Sequence, residues 1–227
     1  MYSPIREIKN EMGRDRFFVF SRRLNREVRL YGKLQYDHWA MVETDLSIKD
    51  YCERPKKIVV SVAGEIIETV FDMWVKTSAY EEFIFVSNAH ELDINGNRVK
   101  QRKIKELLAQ QIWCKQMKQN HRVVTDENIR LNPILLANKK TLIPYFVEEN
   151  ELNNELCQRI IDKLRNQTMS IREIERISGF HNISVRNQIF AMIYHGIIEF
   201  NQNHEIISSL AEVTLNVQKA HVGKIER

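Results

Sequence analysis

Between residues 35 and 87 the chain carries the residue types of metal-assisted hydrolysis: the acids Asp37, Glu43, Asp72, Glu81 and Glu82, with Lys76 four residues past Asp72. Two carboxylates close together hold Mg²⁺, a hard ion that takes oxygen ligands and keeps several waters. A neighbouring lysine then orients or deprotonates the attacking water. No acid-spacer-lysine triplet occurs between Phe71 and His90, so the compact form of that arrangement is missing. Cys52, Cys114 and Cys157 have no paired spacing, which argues against a disulfide framework or zinc site and for buried thiols. His38, His90 and His121 stand singly, with no serine or cysteine at the spacing of a nucleophile and its base, and read as packing or surface residues.

Charge is compatible with phosphate contact but common among ordinary domains. Lys and Arg number 34 against 30 Asp and Glu in 227 residues, and the excess is uneven. Residues 1–24 hold six basic and three acidic residues, and RVKQRKIK at 98–105 holds five basic and none acidic. The candidates for phosphate contact are therefore Arg14, Arg16, Arg22 and Arg23, then Arg98, Lys100, Arg102, Lys103 and Lys105. On charge alone the second run reads as a solvated helix start. Residues 151–208 hold six basic and seven acidic residues. Arg186, Asn187 and Gln188, types that read guanine and adenine edges, thus lie in a near-neutral segment that favours protein contact. The opening MYSPIREIKNEMGRDRFF has no apolar core of the signal-peptide kind, and no later run reaches membrane-spanning length, so the expectation is a cytoplasmic protein with no membrane partner.

The elements that must position these residues follow from periodicity. Leu34, His38/Trp39 and Val42 predict a helix over Gly32 to Thr44. Pro55 stops helix continuation and biases Arg54 to extended backbone. Ile58–Val62 and Ile66–Val75 read as strands joined at Ala63-Gly64, and Glu82–Ser87 as a strand buried on both faces. Asn95-Gly96 marks a turn, residues 99–119 a long amphipathic helix, and His121–Thr125 a further strand. Helix, three strands, helix, strand predicts an α/β domain with a mixed sheet, in the order of the restriction-endonuclease-like fold. A boundary is expected near Glu148. Beyond it come a helix over Asn153–Arg165, a Ser170/Glu173 capping box opening a helix that Gly179 ends, and a helix over Val185–Tyr194 capped by Ser184. Ile197–Phe200 and Glu205–Ser208 then read as a hairpin around NQNH, completing a winged-helix pattern. The expected divisions are 1–148, 149–208 and a tail at 209–227.

Three segments in order resemble the TnsA family, the endonuclease-like subunit of heteromeric bacterial transposases. GKLQYDHWAMVETDLSIKDYCERP is similar to its first helix and the turn into the sheet, TVFDMWV to its strand with a metal-binding aspartate, and HRVVTDENIRLNPILLANKKTLIPYF to the strand and apolar stretch that follow. The resemblance implies that Asp72 falls at the metal-binding aspartate. It places Gln35 where the first helix gives Glu, and Phe85 and Ser87 where the third strand gives Glu/Gln and Lys. It also implies Mg²⁺ as cofactor, if the site is active, and transposon-end DNA as substrate. A TnsB-like DDE transposase and a TnsC-like AAA+ ATPase are the implied partners, with the tail after Ser209 as a docking segment. With two motif positions replaced, it implies either residual cleavage of the 5′ ends or a purely architectural role. A winged-helix transcriptional regulator with an N-terminal sensing domain is the alternative from another class.

Overall fold

The computed structural model describes residues 2–6, 15–93, 98–152, 154–216 and 218, the side chains of 98–100 and 149 excepted. The Asn95-Gly96 turn and most of the tail lie outside them. The chain divides into two compact units, residues 1–20 with 26–131, and residues 21–25 with 132–227.

The first unit is mixed α/β. A hairpin of β1 (Arg16–Ser21) and β2 (Arg26–Tyr31) leads through Gly32 into α1 (Lys33–Glu43). There follow β3 (Ile48–Glu53), the hairpin strands β4 (Lys57–Val62) and β5 (Glu65–Val70), β6 (Met73–Thr77) and β7 (Glu81–Ser87). The long helix α2 (Arg98–Gln116) then delivers β8 (Asn120–Thr125) and the short α3 (Asp126–Ile129). The central sheet has the order β3-β6-β7-β8, antiparallel except for the parallel pair β7–β8 that the α2 crossover allows.

Strand alternation gives this sheet two working faces. Cys52, Trp74 and Phe83, opposite one another in register, pack with Phe71 and with Cys114 of α2. Tyr51, Val75 and Glu82 turn the other way, where the Tyr51 hydroxyl accepts from Trp39 Nε1 of α1 at 2.9 Å. The sheet is thus layered between the two helices.

Three expectations are corrected here. The run Ile66–Val75 is not one strand: it breaks at Phe71–Asp72, where the chain leaves β4 and takes β3 and β7 as partners. The three sheet strands before α2 are therefore β3, β6 and β7, while β4–β5 is a separate two-stranded arm packed through Val62 and Ile67 on Ala109 of α2. Arg54 is not extended but has φ 47. Its N–H donates to the Asp72 carbonyl at 3.0 Å, its Nε to the Ile5 carbonyl at 3.1 Å, and its guanidinium lies 4.8 Å over Tyr31; these contacts outweigh the local bias before proline.

The second unit holds α4 (Pro133–Leu142), α5 (Glu155–Leu164), β9 (Met169–Ser170), α6 (Ile171–Ile177), α7 (Asn182–Tyr194), β10 (Ile198–Glu199) and β11 (Glu212–Leu215). Its sheet has the order β10-β11-β9, antiparallel throughout. The Ser170/Glu173 capping box is present, and Gly179 follows α6 with φ 77. α7 starts at Asn182, before the expected Ser184 cap, and the His181 side chain at its N-cap does not cap the helix.

The partner of β10 is β11, not residues 205–208. That loop is held instead by the fully buried Asn138 of α4, which donates to the Gln202 and Glu205 carbonyls at 2.8 and 2.7 Å and accepts from Ile207 N–H at 2.9 Å. These contacts place α4 in the second unit, so the division falls at 131/132 and not at 148/149. Residues 211–215 are not tail: Ala211 and Val213 are fully buried.

Candidate functional site

Asp72 sits one residue ahead of β6, and its backbone is clamped on both sides. Its N–H donates to the Ile84 carbonyl at 3.2 Å, and its carbonyl accepts from Arg54 N–H at 3.0 Å. Both carboxylate oxygens also accept: Oδ1 from Gln35 Nε2 at 2.6 Å and Oδ2 from Val86 N–H at 2.7 Å. Gln35 Oε1 in turn accepts from Tyr31 N–H at 2.9 Å. The amide that stands at the glutamate position of the motif thus faces Asp72 as a donor.

The expected site is half assembled. Gln35 and Asp72 meet, but the β7 positions do not join them. The register Met73↔Ile84 sets Phe85 across from Asp72. Phe85 is buried, and Lys103 Nζ of α2 stands 4.5 Å from its ring centroid. Ser87 Oγ donates to Glu91 Oε2 at 2.9 Å, and Asn88 N–H reaches the same oxygen at 3.2 Å. Burial pushes the Glu91 carboxyl up, but the hydrogen bonds from Ser87 and Asn88 and the Lys103 charge outweigh it, so the group ends below its ordinary value. Beside it, Asp126 Oδ1 accepts from Ala89 N–H at 2.7 Å. An ammonium and a second carboxylate therefore do come to the end of β7, but from α2 and from the 3₁₀ turn Ala89–Leu92.

Sequence reasoning placed Lys103 among phosphate contacts and passed over Glu91. The signal that could have found Glu91 is its position three residues after Asn88, the spacing of the capping box that it completes.

The other acids are engaged elsewhere. Asp37 is buried and takes Arg130 Nε and Nη2 on Oδ2 at 2.8 and 2.7 Å. Glu43 is buried and accepts from the Tyr51 hydroxyl. Arg122 Nη2 forms an ion pair with buried Glu82 Oε1 at 2.8 Å. Glu81 and Lys76 are exposed and face each other in register. Among the described residues no three His, Cys, Asp or Glu side chains gather at metal-ligand spacing. At Asp72 both carboxylate oxygens already hold protein donors, so this side chain brings a single, engaged carboxylate to a site where Mg²⁺ takes one or two together with waters.

Of the basic candidates, Arg14 lies outside the described residues, as do the side chains of Arg98 and Lys100 at the start of α2. Arg102 pairs with Glu106 at 3.1 Å, an exposed i,i+4 contact worth about 0.3–0.5 kcal/mol. Lys105 pairs with Glu65. Arg16 and Arg22 are exposed, and Arg23 is half-buried.

In the second unit Arg186 Nε donates to buried Glu175 at 2.7 Å, and Gln188 Oε1 accepts from Asn154 at 3.1 Å. Asn187 alone of the three candidate base readers is exposed.

The fold and the site define a mixed α/β protein of two units, with a single half-buried aspartate linking the first helix to the sheet. Comparison with models of known protein families and with curated proteins finds no match for this chain. Among the described residues no helix is long and apolar enough to cross a membrane.

Proposed function

We propose that this chain is a TnsA-like subunit of a heteromeric DNA transposase that holds the 5′ ends of its element without cutting them. The observation that carries this reading is the meeting of Gln35 on α1 with Asp72 ahead of β6, beside Val86 on β7. A restriction-endonuclease-like nuclease gathers its metal ligands at the corresponding positions, and here the second acid and the strand-borne lysine are gone. Chain order supports it. Helix α1, strands β3, β6 and β7, helix α2 and a parallel β8 follow the order of that core. Helix α5, β9, α6, α7, β10 and β11, with β11 central, follow that of a winged helix.

A neutral amide is a poorer ligand than a carboxylate, and serine cannot supply positive charge beside an attacked phosphate. The subunit's work is then architectural. It clamps transposon-end DNA and tethers a TnsB-like DDE transposase, which cuts the 3′ ends, and a TnsC-like AAA+ ATPase. The 5′ ends stay joined, and the element moves replicatively. A winged-helix regulator would need α7 to present side chains to base edges, whereas Arg186 and Gln188 are engaged within the unit.

The test is a nicking assay on labelled transposon-end duplex with Mg²⁺ or Mn²⁺, with and without the DDE transposase, alongside Asp72→Ala. The expected result is no 5′ nick from either form and co-purification with the transposase. Nicking that Asp72→Ala abolishes overturns the architectural reading. Tight binding to one symmetric duplex without the transposase overturns the transposase reading.

A further inference from the structure

The β1–β2 hairpin has one conventional face and one that folding does not account for. Val28 and Leu30 are buried, and Phe17 stacks on Tyr36 at 4.8 Å between ring centroids; this is the inward side. On β1 the alternate residues Phe18 and Phe20 point the other way and are 57% and 58% exposed, with Arg16 exposed on the same side. Arg29 of β2 lies with its guanidinium 5.6 Å from the Phe18 ring centroid and its Nε on Glu27 at 2.7 Å. Two exposed phenylalanines two residues apart thus form an apolar patch, bordered by the exposed Arg16 and by the Arg29–Glu27 ion pair.

Spacing narrows the occupant. Alternate strand residues are about 6.6–6.8 Å apart, close to twice the roughly 3.4 Å rise of stacked bases. That backbone spacing matches the thickness of one planar base beside each ring, and the exposed Arg16 on the same side offers charge to a phosphate. A duplex keeps its bases stacked on one another and offers no ring to these side chains.

From this we infer that the outer face of the hairpin is a stacking platform for unpaired bases of a nucleic-acid single strand. Charge complementarity favours this occupant over an apolar protein strand, which would bring no anion to the exposed Arg16; Arg29 already holds Glu27. The platform stands on the hairpin alone and is independent of the transposase reading.

The test uses the full chain and two labelled probes, an oligodeoxythymidine of about 12 nucleotides, within the usual site size of such platforms, and a duplex of the same length. The parent binds the single strand more tightly than the duplex. Each of Phe18→Ala and Phe20→Ala weakens single-strand binding roughly 5- to 150-fold, the range for loss of one stacked base, and leaves duplex binding within about twofold. Phe18→Trp keeps the affinity, and its fluorescence is quenched on binding. Arg16→Gln with Arg29→Gln reduces the salt dependence. Both rings are exposed, so circular dichroism of the alanine variants matches the parent. The inference is overturned if the parent does not bind the single strand, if the alanine variants bind it as tightly, or if both probes weaken equally. Loss of a dimer on alanine substitution, with single-strand binding unchanged, also overturns it and assigns the face to a second copy of this chain.

Discussion

Replacing Asp72 with alanine separates a structural link from a working metal site. In a metal site, acids held against one another destabilise the metal-free protein, and removing one is neutral or stabilising. Here Asp72 is a fastener between α1 and β7. Val86 is 4% exposed, so its N–H cannot turn to water when Oδ2 is removed; that loss costs about 2–3 kcal/mol. Gln35 is half-buried and regains part of its bond from solvent, so the Oδ1 contact adds about 1 kcal/mol. The sum is about 3–4 kcal/mol. Asp72→Asn keeps one acceptor and sets an NH₂ against a donor, costing about 1–2 kcal/mol. A double-mutant cycle with Gln35→Ala gives a coupling of about 1 kcal/mol. Urea unfolding followed by circular dichroism measures all three, repeated with millimolar Mn²⁺, which stabilises only a protein that binds it in the folded state. Asp72→Ala unfolding at or above the parent's urea midpoint refutes the reasoning. So does a Mn²⁺-dependent rise in the parent that the variant lacks.

Three further outcomes follow from buried polar groups. Burial, with the Arg122 charge second, pushes the His38 imidazole down to about 4, so the unfolded chain takes up a proton that the folded one refuses. This contribution is fully present above the ordinary pKa of about 6.5 and falls away by up to about 3 kcal/mol as the pH drops towards 4. Urea midpoints across that window show the loss, and His38→Phe flattens it. Arg26 holds Glu53, 2% exposed, through two contacts of 2.7 Å. Arg26→Ala leaves that carboxylate buried without its guanidinium and costs about 3–5 kcal/mol, most of it recovered when Glu53→Met is added, as the same urea series reads. Asn138→Ala removes three hydrogen bonds of a fully buried side chain and costs about 2–4 kcal/mol, with faster hydrogen exchange at Ile207 N–H as its local sign.

The amphipathic helices and the buried β7 were legible because their periodicity is their packing. The 3.6-residue stripe produced α1, α2 and α5, and the Ser170/Glu173 spacing marked α6. β3 was not legible, because IKDYCE reads as polar until Arg26 arrives from a distant strand to satisfy Glu53. β11 was missed for a related reason: only its pairing with β9 and β10 makes EVTL a strand. At the site, Gln35 and Asp72 were legible as partners, but Phe85 and Ser87 only as absences. Lys103 and Glu91, which come to the end of β7 from outside the sheet, belong to no strand motif and needed coordinates.

The central place of β11 orders events on the ribosome. Met169 and Ser170 pair with Val213 and Glu212, so the nascent chain offers the first edge some forty residues before its partner exists, a wait of roughly two to eight seconds at ordinary elongation rates. Helices form in about a microsecond. α5 stands complete through that interval and α6 and α7 are completed within it, while the apolar surface that Ala211 and Val213 will cover remains open to water, to chaperones and to neighbouring chains. A fusion joined at Leu210 would make the wait permanent, leaving an aggregation-prone fragment with α5, α6 and α7 intact.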